Sequence, residues 1–374
     1  MVRVLQVMEA TLGGTRRYLD DVVEALGPGP DFGLVYSLHR ADSGFMRLLE
    51  KVRHAGWSLF ELDMRRPINL PFDLKCAYML QNIYRAFRPD VVHAHSSKAG
   101  AIARMATIGA RHRPRIVYSP HAIAVNLSWH YGAAEKLLAS RLDALAAVSN
   151  SEREELCRLK LIPQERVHVV LPTIRSDVLV PEEREQARHR LKLETGPIVV
   201  AIGRLAPQKD PLGFLTFVSA LHKRVPRLRA IWVGDGPLRG AVEDRIVQLG
   251  LQSVISITGW LDDVRGYLAA CDLFVSTSAY EGFSTVIAEA LAMGRPVVAS
   301  RIPGTIDIVT NEPAAQLYAS GDFEAASVLA ARLLSDPVLA ARLGERGQEL
   351  VLATFSREET RRGLERVYAS GAKN

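Results

Sequence analysis

Short runs of β-branched and apolar residues alternate along the whole chain with longer segments that carry apolar residues at helical spacing. One such segment places Phe45, Leu48, Leu49 and Val52 at positions i, i+3, i+4 and i+7, which is typical of one face of a helix. Regular alternation of strands and helices predicts βα units and parallel sheets. The predicted strands are residues 2–8, 33–38, 57–62, 91–95, 116–119, 144–148, 167–171, 198–202, 230–233, 255–258, 273–276 and 296–299.

A polar, charge-rich stretch, residues 175–197, divides these units into two series. We place a domain boundary just before it, near residues 172–177. The predicted fold class is therefore α/β, with two Rossmann-like, doubly wound parallel-sheet domains that face each other across a cleft. The predicted domains are residues 1–175, residues 176–355, and a C-terminal helix within 356–374 that crosses back to the first domain.

The chain has 374 residues, of which 48% are hydrophobic and 24% charged, as is typical of a soluble globular protein with two domains. No apolar run reaches the length of a bilayer-spanning helix, and we expect no signal peptide. Cys76, Cys157 and Cys271 lie far apart and fit no metal-binding spacing. These features predict a cytoplasmic protein without a disulfide framework.

The net charge of +6 and the isoelectric point near 9.3 favour anionic partners, such as phosphorylated ligands or acidic lipid surfaces. The basic residues are spread along the chain and do not alternate with aromatic residues, as they do in proteins that bind single-stranded nucleic acid. We therefore do not expect a nucleic-acid partner.

The segment YEGFSTVIAEA contains two carboxylates, Glu281 and Glu289, which are eight residues apart. Between them a small polar turn, residues 282–285, leads into an apolar helical stretch, residues 286–293. The free N–H groups at the start of a helix bind anions, and carboxylates accept hydrogen bonds from sugar hydroxyls. The segment therefore predicts a site for a ligand that is part phosphate and part polyol.

Further candidates follow the predicted strands, at the ends where α/β proteins bind ligands. Arg204 and Lys209 come after strand 198–202, and two cations at that position can neutralise a diphosphate, although each alone could be a solvated surface residue. Gly13 and Gly14 follow the first strand. They allow the backbone to approach a ligand closely, or they form only a tight turn.

Three histidines also lie near predicted strand ends. His121 follows strand 116–119, where an imidazole can hydrogen-bond a substrate hydroxyl or be a satisfied loop residue. His93 and His95 could suggest a metal pair, but no third ligand follows at a suitable spacing. We therefore expect no metal site.

In this order, these segments resemble glycosyltransferase family 4, whose members are retaining, nucleotide-sugar-dependent enzymes with the GT-B fold. The resemblance covers nearly the whole chain. It depends on Gly13 and Gly14, on the pair Glu281 and Glu289, and on the segments RPDVVHAHSSKAG (88–100), VYSPH (117–121), AAVSNSEREEL (146–156), GRLAPQKDP (203–211), VGDGPL (233–238) and GRPVVASRIPG (294–304).

The resemblance implies a role for each matching residue. Arg204 and Lys209 correspond to the pair that holds the diphosphate of the donor. Glu281 corresponds to the carboxylate that contacts the donor sugar, and Glu289 to the one that binds the ribose. His121 corresponds to the first-domain histidine near the reacting sugar. The remaining donor-binding residues are Gly13, Gly14, Gly203, Phe283, Ser284, Thr285 and Val286.

The implied function is transfer of a sugar, most often from a UDP-sugar, to an acceptor hydroxyl in polysaccharide, glycolipid or glycoconjugate synthesis. No cofactor or metal is expected, because Arg204 and Lys209 can stabilise the departing diphosphate. The acceptor could be a sugar, a lipid-linked molecule or a small molecule, and the oligomeric state is left open. Two alternatives remain: a nucleotide-sugar epimerase on the same fold, and a non-catalytic nucleotide-sugar-binding protein.

An anionic membrane surface is a further candidate partner, with the protein peripheral at the inner face of the membrane. The apolar face of residues 45–52, with Arg47, Lys51 and Arg53 beside it, could dock on acidic lipids. The same pattern is also that of an ordinary Rossmann helix whose apolar face covers a sheet. We prefer this second interpretation.

The chain departs from the family pattern at two places. Pro172 and Thr173 stand where many relatives have Asn-Gly, in the linker between the predicted domains. Asp307 stands where relatives often have a glutamate, and this shorter carboxylate can alter the preference for the donor sugar.

Overall fold

The structure is a computed structural model that describes residues 2–11, 13–110, 112–121, 129–174, 182–193, 195–309 and 314–369, except the side chains of residues 129–131. The chain forms two compact units. One comprises Met1–Thr173 and Arg357–Asn374, and the other Ile174–Ser356. The chain therefore leaves the first unit near residue 173 and returns to it at residue 357.

The first unit contains a sheet in which seven strands are described. They are β1 (Val4–Met8), β2 (Phe32–Tyr36), β3 (Ser58–Glu61), β4 (Val91–His95), β5 (Arg115–Ser119), β6 (Ala144–Ala147) and β7 (Val167–Val169). All neighbouring strands are parallel, in the order β3-β2-β1-β4-β5-β6-β7. The helices described here are α1 (Gly13–Leu26), α2 (Ser43–His54), α3 (Leu70–Phe87), α4 (Ser97–Met105), α5 (Trp129–Leu138) and α6 (Asn150–Arg158). This strand order reverses between β1 and β4, which makes their carboxyl ends the expected ligand crevice of a doubly wound sheet.

The second unit repeats this plan. Its described strands are β8 (Ile198–Ile202), β9 (Arg229–Val233), β10 (Ile255–Ile257), β11 (Leu273–Ser276), β12 (Val297–Ser300) and β13 (Gln316–Tyr318). They are parallel, in the order β10-β9-β8-β11-β12-β13. The helices described are α7 (Arg184–Arg190), α8 (Pro211–Arg224), α9 (Arg239–Gln248), α10 (Arg265–Ala270), α11 (Thr285–Ala292), α12 (Pro303–Ile306), α13 (Phe323–Ser335) and α14 (Pro337–Thr354). The reversal falls between β8 and β11.

One more helix, α15 (Arg357–Ala369), belongs to the first unit and packs against α1. Its residue Thr360 is fully buried and donates from Oγ1 to the carbonyl oxygen of Leu171 at 2.8 Å. Gly363 passes close to the backbone of Val170, because a Cβ at this position would lie 3.2 Å from that Cα. The end of β7 and the last helix therefore close the first unit together.

The strands have nearly continuous apolar sequences because helices cover both faces of each sheet. Every residue of β1 is buried, including Gln6, whose side chain is fully enclosed. Strands buried on both faces have nearly continuous apolar sequences, and this is why they stand out in the sequence pattern.

The amphipathic stretch 45–52 lies in α2, and its apolar residues face the core. Phe45 and Val52 are fully buried, and they pack in a cluster with residues of β1, β2 and α1. Lys51 forms ion pairs with Asp20 and Glu24. The interpretation as an ordinary Rossmann helix is therefore confirmed, and docking of this face on a membrane is wrong.

The predicted strands agree with the described strands to within two residues at each end. The sequence analysis missed β13, which has only three residues. Such a short run gives no detectable alternation, so the edge of the second sheet could not be identified from its sequence.

Candidate functional site

The second unit brings its predicted residues together where the strand order reverses. Gly203 follows β8 directly, and Glu281 lies in the loop after β11, which is the neighbour of β8 in the sheet. The loop after β8 contains a single helical turn, Pro207–Lys209, which ends at Asp210. The Oγ1 of Thr277 donates to the carbonyl oxygens of Lys209 and Asp210 at 3.1 and 3.0 Å. The two loops are thus tied to each other by hydrogen bonds.

Lys209 and Glu281 form an ion pair at the centre of this arrangement. The Glu281 side chain is 6% exposed and that of Lys209 is 19% exposed. The carboxylate also accepts hydrogen bonds from Gln208 Nε2 at 3.1 Å and from Ser278 Oγ at 2.9 Å. The Glu281 carboxylate therefore accepts hydrogen bonds from three donors, and Lys209 retains N–H donors that can reach an anionic ligand.

Arg204 lies in the same loop and is exposed. In the part of the chain that the structure describes, its guanidinium has neither a hydrogen bond nor an ion pair. An exposed arginine without a described partner leaves a fork of N–H donors free for phosphate oxygens.

Glycines let the backbones around this site approach each other. Gly203 has a φ of +158°, and the aliphatic stem of Lys209 lies over it, because a Cβ there would be 3.1 Å from that side chain. Gly234 would place a Cβ 2.1 Å from the carbonyl oxygen of Gly203. Gly304, in α12, would place one 2.5 Å from the carbonyl oxygen of Glu281. The positions of the two loops that carry Lys209 and Glu281 therefore depend on close contacts between backbone segments.

The turn after Glu281 leads into α11, as the sequence indicates. Ser284 precedes this helix and is buried, but its side chain makes no capping hydrogen bond. Its own N–H donates to the carbonyl oxygen of Gly304 at 3.4 Å. Thr285 and Val286 open the helix, so their N–H groups are among those that an α-helix leaves without an internal partner.

Two further predicted donor-binding residues are more enclosed. The Phe283 ring packs edge-on against Phe355, with centroids 5.1 Å apart. Glu289, in α11, is 4% exposed. A ribose can reach Glu289 only if the first turn of α11 leaves a path to it.

In the first unit, the reversal point is formed by the segments after β1 and β4. Gly13 begins α1 with a φ of +62°, and a Cβ added to Gly13 or Gly14 would meet no atom within 4 Å. The space around both glycines is open, as the approach of a ligand would require. Glu9, which the sequence analysis missed, is 3% exposed here, with Arg40 Nη1 at 3.5 Å and Ser96 Oγ at 3.4 Å.

His121 lies after β5 and contacts the histidines of β4. Its Nε2 is 3.1 Å from Nδ1 of His95, and its backbone has a φ of +59°, in the left-handed region. His93 and His95 are fully buried. Burial lowers the pKa of His93 and of His121 to about 3, and the pKa of His95 well below its usual value. All three rings are therefore neutral near pH 7.

Several residues at these sites have no obvious signal in the sequence. Gln208 and Ser278 contact Glu281, yet only their closeness to Lys209 and Glu281 in the chain could have identified them. The described residues contain no group of three or more His, Cys, Asp or Glu side chains arranged to hold a metal ion.

Two family models match the chain in succession. The model described as Glycosyltransferase Family 4 matches residues 12–178, and the model described as Glycosyl transferases group 1 matches residues 182–350. Together they cover most of both units.

The chain is similar to two lipopolysaccharide core biosynthesis glycosyltransferases of Rhizobium meliloti (strain 1021). It is 27% identical to LpsD over 357 residues, which are 95% of this chain and 94% of LpsD. It is 34% identical to LpsE over 178 residues, which are 47% of this chain and 51%, about half, of LpsE.

A solved structure shows the same fold. Anabaena Alr3699/HepE in complex with UDP has a TM-score of 0.84 and 21% identity, over 99% of this chain and 100% of that chain. Two parallel Rossmann-like units and these matches define a glycosyltransferase with the GT-B fold. The chain belongs to glycosyltransferase family 4.

Proposed function

We propose that this glycosyltransferase moves a sugar from a UDP-sugar to an acceptor hydroxyl, with retention at the anomeric carbon and without a metal ion. The observation that carries this proposal is the partly buried pair Lys209 and Glu281, with the exposed Arg204 in the loop of Lys209, where the second sheet reverses its strand order. The complex of HepE with UDP supports the choice of nucleotide. The named functions of LpsD and LpsE support an acceptor in lipopolysaccharide or related polysaccharide synthesis.

The chemistry follows from where charge develops. As the bond between the anomeric carbon and the phosphate oxygen breaks, negative charge grows on the departing diphosphate. Arg204, Lys209 and the first-turn N–H groups of α11 stabilise this charge, which makes them the counterpart of a metal ion. The acceptor oxygen bonds to the anomeric carbon on the same face, and its proton passes to the departing phosphate. Glu281 accepts hydrogen bonds from sugar hydroxyls and keeps Lys209 in place.

Arg204 offers a direct test, because an exposed side chain without a described partner can be removed with little effect on stability. Arg204→Ala should weaken UDP binding about tenfold or more, measured by titration calorimetry, since a charge-assisted phosphate contact is lost. The matched control is Arg227→Ala, an exposed arginine before β9 at the opposite end of the strands. Equal affinities in both variants would contradict the assignment of the diphosphate site.

The reaction itself is tested with UDP-sugars and lipopolysaccharide-type acceptors. We expect Lys209→Ala and Glu281→Gln to lower kcat by about a hundredfold, and Lys223→Ala, an exposed lysine of α8, to leave it unchanged. Conversion of the UDP-sugar to its epimer without acceptor would favour the epimerase. Binding of UDP-sugar without any turnover would favour a binding protein.

We also propose that the first unit docks on an anionic membrane, through a surface that differs from the α2 face. Among the described residues no helix has both the length and the apolar composition to cross a bilayer. The loop before α3 and the first turns of α3 expose large apolar residues, among them Leu70 at 61% and Tyr78 at 63%. This α3 surface consists of Ile68, Leu70, Leu74 and Tyr78, with the exposed basic residues Arg65, Arg66 and Lys75.

A buried ion pair holds the α3 surface in place. Lys98, in α4, donates to Asp73 Oδ2 at 2.7 Å and to the carbonyl oxygen of Pro67 at 2.9 Å. Lys98 is 8% exposed and Asp73 is 5% exposed. Apolar side chains flanked by arginine and lysine are the combination that binds an interface with acidic headgroups.

Vesicle co-sedimentation tests this surface. The protein should bind vesicles that contain phosphatidylglycerol and should not bind pure phosphatidylcholine, and added salt should weaken the binding. Leu70→Ser with Leu74→Ser should abolish it. Leu137→Ser, which changes an 81% exposed leucine of α5, should not. Binding that persists in the double variant, or that is lost equally in the control, would contradict the proposal.

A further inference from the structure

A chain of buried and partly buried hydrogen bonds begins at a backbone carbonyl that can only accept. Ser119 Oγ donates to the carbonyl oxygen of Ala146 at 2.8 Å. Because this hydroxyl has a single proton, its oxygen accepts from Nε2 of His93, which is 2.9 Å away. A neutral imidazole carries one proton, so Nδ1 of His93 has a lone pair. It accepts from the Tyr368 hydroxyl at 2.9 Å.

The same logic continues outward from Tyr368. Its proton points to His93, so its oxygen accepts from Gln6 Nε2 at 3.1 Å. The Gln6 carbonyl oxygen then faces Nε2 of His95 at 2.8 Å, and this nitrogen donates. Nδ1 of His95 is left as an acceptor for Nε2 of His121. These hydrogen bonds, from the carbonyl oxygen of Ala146 to His121, form a relay. Each bond in the relay has one permitted direction, because the carbonyl group of Ala146 can only accept.

Burial and the lowered pKa values of the histidines keep the hydrogen bonds of the relay in these directions. Gln6, His93, His95 and Ser119 are fully buried, so their side chains depend on protein groups for their hydrogen bonds. The lowered pKa values of the three histidines exclude doubly protonated rings near pH 7, and this is what makes the directions unambiguous. The His121 and His95 rings are inclined by only 23°, with centroids 5.4 Å apart, as an in-plane hydrogen bond between them requires, so a rotation of the His121 ring would break this bond.

We propose that Tyr368 and Gln6 are positioning residues that fix the tautomer of His121, so that its Nδ1 is presented as a hydrogen-bond acceptor. Resting on the proposed glycosyl transfer, the partner of this nitrogen is a hydroxyl of the sugar substrate. Such a ring selects and orients a hydroxyl, and it does not deliver a proton from Nδ1. Tyr368 lies in α15, so the last helix of the chain contributes to this arrangement from 247 positions away in sequence.

The tautomer can be measured without any assumption about activity. In protein labelled with 15N-histidine, long-range 1H–15N correlation spectra distinguish a protonated ring nitrogen from one with a lone pair. The His121 signals, assigned by their loss in His121→Asn, should show the proton on Nε2. A proton on Nδ1, or a charged ring at pH 7, would overturn the proposal even if the enzyme proves to be a glycosyltransferase.

Removal of one hydroxyl tests the relay itself. Tyr368→Phe keeps the ring but lets Gln6 reverse, so His121 should become a mixture of tautomers, and kcat/KM for the donor sugar should fall about tenfold. The matched control is Tyr84→Phe, because Tyr84 is also buried in the first unit and its hydroxyl donates to the carbonyl oxygen of Ala103. In Tyr84→Phe the tautomer signals of His121 and the steady-state kinetics should stay unchanged.

The two readouts separate a positioning role from a merely structural one. A loss of activity in Tyr368→Phe with an unchanged His121 tautomer would overturn the proposal, because the effect would then be on stability alone. An altered tautomer without any detectable transfer in the unmodified protein would instead contradict the proposed function and leave the relay intact.

Discussion

The lowered pKa values of His93, His95 and His121 link a residue-scale property to the stability of the first unit. In the folded protein the pKa of His93 and of His121 is about 3, whereas an exposed histidine has a pKa near 6.5. The unfolded chain therefore binds protons that the folded chain excludes once the pH falls below about 6.5. Asp21 acts in the opposite sense, because burial raises its pKa and its contribution to stability decreases as the pH rises.

We expect the first unit to lose stability between pH 7.5 and pH 5.5. A histidine with a lowered pKa stabilises the fold fully above pH 6.5, and this contribution is lost as the pH falls towards 3. Three such rings give an upper value of about 4 kcal/mol over this interval, and Asp21 reduces it. Guanidinium unfolding at the two pH values measures the difference.

Two histidine variants test whether the rings of His93, His95 and His121 cause this dependence of stability on pH. His95→Gln should make the pH dependence shallower by about one third, since one of three rings is removed. His54→Gln, which changes an exposed histidine of α2, should leave the dependence as it is. A free energy of unfolding that does not change with pH would show that these rings are not neutral and buried.

How far the sequence predicts the site depends on which contacts are local. Arg204 and Lys209 lie at the end of an apolar strand, so their position on the sheet edge follows from the pattern alone. The pairing of Lys209 with Glu281 requires that β8 and β11 be neighbours, and no local pattern reports strand order. The contact of His93 with Tyr368 joins residues 275 positions apart and was not foreseen for the same reason.

At the scale of elements, short backbone contacts position the loop after β11. The four-residue helix α12 lies against the loop after β11, and Gly304 is the point of contact with Glu281. Sequence patterns identified the larger elements because their apolar periodicity is strong. They did not reveal that α12 acts as a spacer, since a close approach between two backbones has no hydrophobic signature.

Gly304→Ala should therefore impair catalysis. A methyl group would lie 2.5 Å from the carbonyl oxygen of Glu281, so the backbone of one segment has to move. We expect kcat to fall by about tenfold to a hundredfold, because small displacements of positioned groups are costly. Steady-state kinetics with the donor sugar measure this.

Gly240→Ala is the matched control for this substitution. Gly240 lies in α9 and has open space around it, so an alanine there should leave kcat unchanged and stabilise the helix by up to about 1 kcal/mol. The spacer role of Gly304 would be refuted if both variants had the same kcat as the unmodified enzyme.

At the scale of the whole molecule, the two units differ in how the chain builds them. Ile174–Ser356 is continuous, whereas the first unit combines Met1–Thr173 with Arg357–Asn374. In α15 the residues Thr360, Leu364 and Val367 are fully buried. The change of direction near residue 173 was predictable from the polar stretch that follows. The return of a C-terminal helix to the first unit was predicted, but its packing on α1 was not, because that contact joins distant parts of the chain.

We expect a fragment of residues 174–356 to fold alone, and a fragment of residues 1–173 to lack a cooperative thermal transition, because the face of α1 that contacts α15 would be exposed. Adding a peptide of residues 357–374 should restore the transition in circular dichroism. The same peptide with Leu364→Ser and Val367→Ser should not. Cooperative unfolding of 1–173 without the peptide would contradict this.

The return of the chain at residue 357 also has a consequence during synthesis. A ribosome that adds about 5 to 20 residues per second needs roughly 10 to 40 s to make the whole second unit after residue 173 has been polymerised. Throughout this interval the nascent first unit lacks its closing helix, and Tyr368 is absent from the side of His93. The first unit can thus complete its fold only after the whole second unit has been synthesised.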